Sequence, residues 1–262
     1  MRIKSAVATG LIALASLTSS CASTKKDSSV PRDLKLSPAS KNYSPDKYAF
    51  LICGVNEERF TYDLSAIYQV LLRRGFKDKN IITLDEHGTE DFIYHSNGIA
   101  SKENVMRVFD HLESVVDPFD TLVVHIDDHG TCKEIPTRFA VYPQTLIGLA
   151  DGGLSNFELY EGLKKIKPKI GIVTVDTCHA EGMLKWCKPP YIGIAGTKED
   201  SKGFSGIRDS FGGYFYISWC DGETKTIREA FDNAKKRHSF SINGKVEPQI
   251  ITENGLENML LP

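Results

Sequence analysis

The feature that most constrains this chain is an alternation, from Lys47 onward, of short apolar runs with longer amphipathic ones. Residues 48–54 (Tyr-Ala-Phe-Leu-Ile-Cys-Gly) are continuously apolar, the pattern of a strand covered on both faces. Residues 62–74 instead place Leu64, Ile67, Tyr68, Leu71 and Leu72 at helical spacing, and Gly75 closes the run. The same two periods recur, predicting strands at 80–84, 121–127, 170–176 and 191–196 and helices over 102–116, 156–166 and 226–237. Residues 213–219 read as a sixth strand. Strands separated by helices need right-handed crossovers, which make neighbouring strands parallel. The expectation is an α/β fold: a three-layer α/β/α sandwich around a mainly parallel six-stranded sheet. No repeat or linker interrupts 47–262, so one domain is the simplest account.

The first twenty residues have a different character. Met1-Arg2-Ile3-Lys4 carries two positive charges, an apolar run follows from Ala6 to Leu17, and small residues lead into Cys21. That order is the order of a secretory signal at 1–20. The apolar run is too short for an ordinary membrane-spanning helix. Leu17-Thr18-Ser19-Ser20-Cys21 resembles the lipobox of bacterial lipoproteins, although Leu17 stands one place earlier than the usual pattern puts it. The resemblance implies lipidation at Cys21 and a bacterial cell-envelope lipoprotein, periplasmic or on the outer-membrane surface, held to the membrane through a lipid anchor. An ordinary cleaved signal with an incidental Cys21, giving a secreted protein, is the plainer reading. Residues 21–46, polar with scattered prolines, then read as a flexible tether.

Net charge is −2 and no basic run stands out, so nothing argues for a nucleic-acid partner. With Cys21 set aside, Cys53, Cys132, Cys178, Cys187 and Cys220 remain, without a CxxC pair. That spacing weakens a zinc knuckle and a thioredoxin-like motif, and an odd number implies at least one free thiol. A disulfide among them stays open. Cys53, inside an apolar strand, reads as a small core residue. No residue pattern demands a cofactor.

In an open parallel sheet, reactive residues gather just beyond the carboxyl ends of the strands. One predicted strand runs out into Asp127-Asp128-His129-Gly130-Thr131, another into Asp176-Thr177-Cys178-His179-Ala180. If these strands are neighbours, a thiol and an imidazole share one edge, as nucleophilic cysteine catalysis requires. Gly130 lets the backbone approach, so its N–H and that of Cys178 could form an oxyanion hole. Taken singly, a histidine before glycine is more often a surface turn, and a cysteine at a strand end more often a buried small residue. A metal site from Asp127, Asp128, His129, Cys178 and His179 competes, but lacks the tight local pair that usually anchors zinc. His179 is the rival base and reads as a rim residue; His125 reads as buried structure.

Strand-Asp-His-Gly followed by strand-Asp-Thr-Cys-His-Ala resembles the legumain family of caspase-fold cysteine peptidases. Asp176-Thr177-Cys178 with Ala180 is particularly similar to the glycosylphosphatidylinositol transamidase branch. Leu51-Ile-Cys-Gly-Val-Asn56 resembles the family's first strand and turn, and Phe211 through Asp221 its late strand, so the likeness covers about 47–250 in the right order. The resemblance implies a caspase-like fold, Cys178 as nucleophile, His129 as general base and Gly130 at the oxyanion hole. It also implies a peptide or protein substrate bound as an extra strand along residues 214–218, with Ser201, Gly213, Tyr214 and Ser218 around it. Legumains orient the histidine with an asparagine after the first strand; here the sole asparagine is Asn56, a few residues early. Their acidic P1-pocket residue falls at Gly213, so asparagine preference does not transfer. Arg59 would favour an acidic P1 group, Asp176 a basic or amide one. The expected function is a cysteine endopeptidase. A transpeptidase of the same family and a silent binding lipoprotein are the alternatives, and a redox pair of Cys178 and Cys187 is disfavoured by spacing.

Overall fold

The structure, a computed structural model, describes residues 34–38, 45–88, 94–136, 141–203, 209–221, 224–239, 243–244, 246–253, 255–260 and 262. In chain order the first half holds β1 (Lys47–Ile52), α1 (Glu58–Arg73), β2 (Ile81–Asp85), β3 (Gly98–Ile99), α2 (Lys102–Val115) and β4 (Thr121–Asp127). Three strands follow, β5 (Gly130–Pro136), β6 (Val141–Leu149) and β7 (Gly152–Ser155), then α3 (Asn156–Leu163), β8 (Ile170–Asp176) and α4 (Ala180–Leu184). The chain ends with β9 (Tyr191–Ala195), α5 (Phe211–Cys220), α6 (Ile227–Arg237) and β10 (Gln249–Ile251).

A seven-stranded sheet runs in the order β10-β9-β8-β4-β1-β2-β3, parallel except for β10. Successive side chains of a strand point to opposite faces, and here both faces are covered. Phe50, Ile52, Leu122, Val124 and Val173 pack against Val105, Phe109 and Leu112 of α2, Leu159 of α3 and Met183 of α4. Ala49, Leu51, Val123, Ile172 and Ile192 pack against Leu64 and Ile67 of α1, Phe215 and Trp219 of α5, and Phe231 of α6. Each fully buried side chain of this kind contributes about 1.5–3 kcal/mol. This is the three-layer α/β/α sandwich.

Local chemistry starts the helices where it should. Ser101 caps α2 by accepting from the Asn104 N–H at 3.2 Å. Ser155 with Glu158, and Thr226 with Glu229, form reciprocal capping boxes at α3 and α6. β5, β6 and β7 form a separate antiparallel sheet between β4 and α3, so the loop leaving His129 is itself a strand.

The late segment corrects the expectation of a sixth strand at 213–219. Phe211–Cys220 is a helix, begun by Ser210, whose hydroxyl accepts from the Gly213 N–H at 2.9 Å. It is apolar nearly all round because α1 and α6 pack on it and Trp219, Tyr216 and Phe215 are fully buried. A helix buried on most sides shows no polar stripe, and so no helical period in its sequence. The strands that complete the sheet are β3 and β10 instead.

Chain contacts divide at Pro31, and every described residue belongs to the unit 32–262. The signal segment, Cys21 and most of the tether lie outside the described residues. Within the stretch read as tether, Leu34 and Leu36 pack against the core, and the Lys35 N–H donates to the Asn97 carbonyl at 2.9 Å. Among the described residues no helix is long and apolar enough to cross a membrane.

Candidate active site

β4 and β8 are adjacent and parallel, with Asp127 and Asp176 as register partners at their carboxyl ends. His129 and Cys178 each stand two residues beyond that pair, so pairing alone delivers imidazole and thiol to one edge. Behind them the chains touch. A Cβ built on Gly130 would lie 2.1 Å from the Cys178 carbonyl oxygen and 2.8 Å from Thr177 Oγ1. Only glycine fits there.

Several groups hold the Cys178 turn. His179, next in sequence, takes a left-handed backbone (φ 62°, ψ 25°) that is uncommon for a residue with a side chain. Its N–H donates to the Ser201 carbonyl at 2.9 Å, and its Nδ1 lies 2.6 Å from the Glu199 carbonyl, which makes Nδ1 the protonated nitrogen. The 197–203 loop thereby lies against the turn. Its Gly203 N–H reaches Cys178 Sγ at 3.2 Å, and the thiol points back at the Gly203 carbonyl at 3.9 Å.

His129 is set from below and from the side. Asp128 accepts from the His129 N–H and the Gly54 N–H, both at 2.5 Å, and burial raises its carboxyl to about 6. The His129 ring meets the Phe60 ring edge-on at 5.4 Å. Its Nε2 lies 2.7 Å from Glu57 Oε1 and 3.5 Å from Arg59 Nη2. Both cannot be hydrogen bonds to one nitrogen in one tautomer; the short one makes Nε2 a donor to Glu57. Among the described residues no hydrogen bond joins His129 to Cys178 or engages His129 Nδ1.

A second group of carboxyls lies under the same edge. Asp63 of α1 and Asp127 are buried near one another, and Asp176 stands near them. Burial first, and mutual repulsion next, push Asp127 well up, and burial lifts Asp63 to about 7 and raises Asp176. Asp63 Oδ2 and Asp127 Oδ2 accept no hydrogen bond.

Of the residues expected from sequence, the structure brings together His129, Gly130, Cys178, Arg59 and Ser201. Arg59 lies over the Phe60 ring at 4.2 Å and holds Glu57 at 2.9 Å. Asp176 is committed elsewhere: its Oδ2 accepts from the Gly212 N–H at 2.7 Å and so ties β8 to the start of α5. The expectation for Gly213, Tyr214 and Ser218 fails with the strand they were meant to form. Gly213 is buried at the helix cap, Tyr214 donates its N–H to the Ser210 carbonyl, and Ser218 is fully buried. In a helix these N–H groups bond within the chain and cannot pair with a substrate strand. His125 is buried as expected, 2.7 Å from Thr174 Oγ1, with burial lowering it to about 3. Cys53 and Cys187 are buried, and all five described cysteines are free. Among the described residues no group of three or more His, Cys, Asp or Glu is placed to hold a metal ion.

The residue that sequence reasoning missed is Glu57. It is one of two adjacent acids after the first strand, and only the β1–β4 pairing carries it to a histidine 72 positions away.

No protein-family model matches the chain, and no curated protein does. Solved structures share the fold. A Geobacter sulfurreducens protein, GSU0716, solved by crystallography as a structural genomics target, superposes with a TM-score of 0.58 at 14% identity. That match covers 83% of this chain and 100% of the other. At such identity the likeness is one of architecture: helices on both faces of a mainly parallel sheet.

Proposed function

We propose that the chain is a cysteine endopeptidase of the cell envelope, with Cys178 as nucleophile and His129 as base. One observation carries the reading: both residues stand two positions beyond register partners on adjacent parallel strands, where such sheets place their chemistry. The likeness of Asp128-His129-Gly130 and Asp176-Thr177-Cys178 to the legumain family adds a reaction class to that geometry. The envelope location and the lipid anchor rest on residues 1–21.

In this reading the Cys178 S–H proton passes to His129 Nδ1, and the thiolate sulfur attacks the carbonyl carbon of a peptide. The resulting oxyanion needs backbone donors, for which the N–H groups of Cys178 and Gly130 are the nearest candidates. The C–N bond then breaks as the imidazolium returns its proton to the leaving amine. Water, deprotonated by His129, releases the acid and restores the thiol. The approach of His129 to Cys178 tightens when substrate fills the gap, as catalytic contacts commonly do. With α5 excluded as a docking strand, the 197–203 loop, which reaches Cys178 Sγ through the Gly203 N–H, becomes the candidate place for a peptide to lie.

The test is incubation with a mixed peptide library and mass-spectrometric reading of the cut sites. Cleavage by the parent, lost in Cys178→Ala and in His129→Ala, supports the assignment and gives the P1 preference. Undiminished cleavage in Cys178→Ala overturns it. Product joined to an added amine means transpeptidation, and binding without cleavage means a silent module. Fatty-acid labelling lost in Cys21→Ser tests the anchor.

A further inference from the structure

We infer that Glu57 is a positioning residue for His129, braced by Arg59, so that the site works as a Cys178–His129–Glu57 triad. The inference rests on the dyad proposed above. Among the described residues no asparagine is hydrogen-bonded to His129; the Glu57 carboxylate is.

Glu57 occupies the N-cap position of α1 in an extended conformation (φ −99°, ψ 140°), yet its side chain makes no capping hydrogen bond. A cap side chain ordinarily satisfies the free N–H groups of the first turn. Here the carboxylate is turned outward and both oxygens have other partners: Oε1 is 2.7 Å from His129 Nε2, and Oε2 accepts from Arg59 Nε at 2.9 Å. The Glu57 backbone is fixed. Its carbonyl accepts from the Phe60 and Thr61 N–H groups at 3.0 and 3.1 Å and from Thr61 Oγ1 at 2.9 Å, and its N–H donates to the Val55 carbonyl at 3.0 Å. The group therefore projects from a rigid helix start. Arg59 closes the set by lying over Phe60, whose edge supports the His129 ring.

The chemical consequence concerns which nitrogen carries the proton. A hydrogen bond from Nε2–H to Oε1 fixes the tautomer in which Nδ1 holds the lone pair, and no other described group engages Nδ1. When Nδ1 takes the thiol proton, the imidazolium that forms keeps its Nε2–H on Glu57, with the Asp128 carboxyl also near and Arg59 opposing. The His129 contact is also the first cause holding the Glu57 carboxyl below its ordinary range. Glu57 and His129 are both about half exposed (side chains 42% and 54%), so solvent screens the charge and orientation is the larger part of the effect.

The experiment compares Glu57→Gln, Glu57→Ala and the neighbouring control Glu58→Gln, all checked for an unchanged melting temperature. Alkylation of Cys178 by iodoacetamide is followed against pH by mass spectrometry of its own peptide, which needs no substrate and separates it from the other free cysteines. The expected result is an acid limb displaced to lower pH in Glu57→Gln and slower alkylation at neutral pH in Glu57→Ala, with Glu58→Gln like the parent. On a cleaved peptide, Glu57→Gln lowers kcat on the order of 10- to 100-fold with little change in KM, and Glu57→Ala lowers it further. Superimposable alkylation profiles in all four proteins overturn the inference. If the profiles shift but no peptide is cut by the parent, Glu57 positions His129 and the peptidase reading is what fails.

Discussion

Asp127 and Asp176 face each other across β4 and β8 as the last register partners of the parallel pair. The candidate site follows from that alignment: two residues further on, each strand releases its chain, one as His129-Gly130 and the other as Cys178-His179. Beneath them the two aspartates, with Asp63, form the buried acidic floor of the same edge. The candidate site thus rests on carboxyls that burial pushes toward their neutral forms.

Gly130 is the tightest joint in this edge. A methyl group there would have to displace backbone, because the Cys178 carbonyl oxygen lies 2.1 Å from where the Cβ would sit. Gly130→Ala should cost about 1–3 kcal/mol in urea unfolding. It should also reduce peptide cleavage on the order of 100-fold, because a shift of about 1 Å in a reacting group has that effect. Parent-like activity in a folded Gly130→Ala protein would mean that the two turns are not held in contact.

The acidic floor has a pH signature. Asp63 titrates near 7 in the folded protein and near 3.8 once solvated, with burial as the first cause. Between those values the folded state keeps a proton that the unfolded state has lost, so stability falls as pH rises from about 4 to 7. The slope for one such group is at most about 1.4 kcal/mol per pH unit. His125 opposes it: lowered from 6.5 to about 3 by burial, it makes stability fall as pH drops through that range. Asp63→Asn removes the first slope and leaves the second. Urea unfolding at pH 4.5 and pH 7 should therefore show Asp63→Asn gaining on the parent at the higher pH; an unchanged difference between the two pH values refutes the assignment.

Much of this fold is legible in the chain because period and burial agree. Residues 48–52 are apolar without a break and lie between two helical layers, and Leu64, Ile67 and Leu71 mark the buried side of α1. The meeting of the two strand ends was legible for the same reason, since Asp128-His129 and Thr177-Cys178 follow two such runs. The β5–β7 sheet escaped notice because Thr131, Lys133 and Glu134 carry no apolar run to announce it. Glu57 escaped because its role is set by which strands pair, and pairing across seventy residues leaves no local mark. Residues 211–220 misled for a third reason. Its aromatic residues and Ile217 favour a strand locally, and burial between α1 and α6 overrides that preference.

That last override can be tested by substitution within α5. Ile217 is 45% exposed, so replacing it removes little from the core. In a helix interior, proline loses a hydrogen bond and clashes with the preceding turn, at a cost of about 3 kcal/mol or more. On a docking strand at the sheet edge it would be tolerated far better. Ser210→Ala should cost about 1 kcal/mol by leaving the Gly213 N–H without its cap, and Ser210→Thr should recover most of the loss. The graded series of Ser210→Thr, Ser210→Ala and Ile217→Pro, read as urea midpoints, is what a capped helix requires. An Ile217→Pro protein as stable as the parent would restore the strand, and with it a substrate edge along residues 214–218.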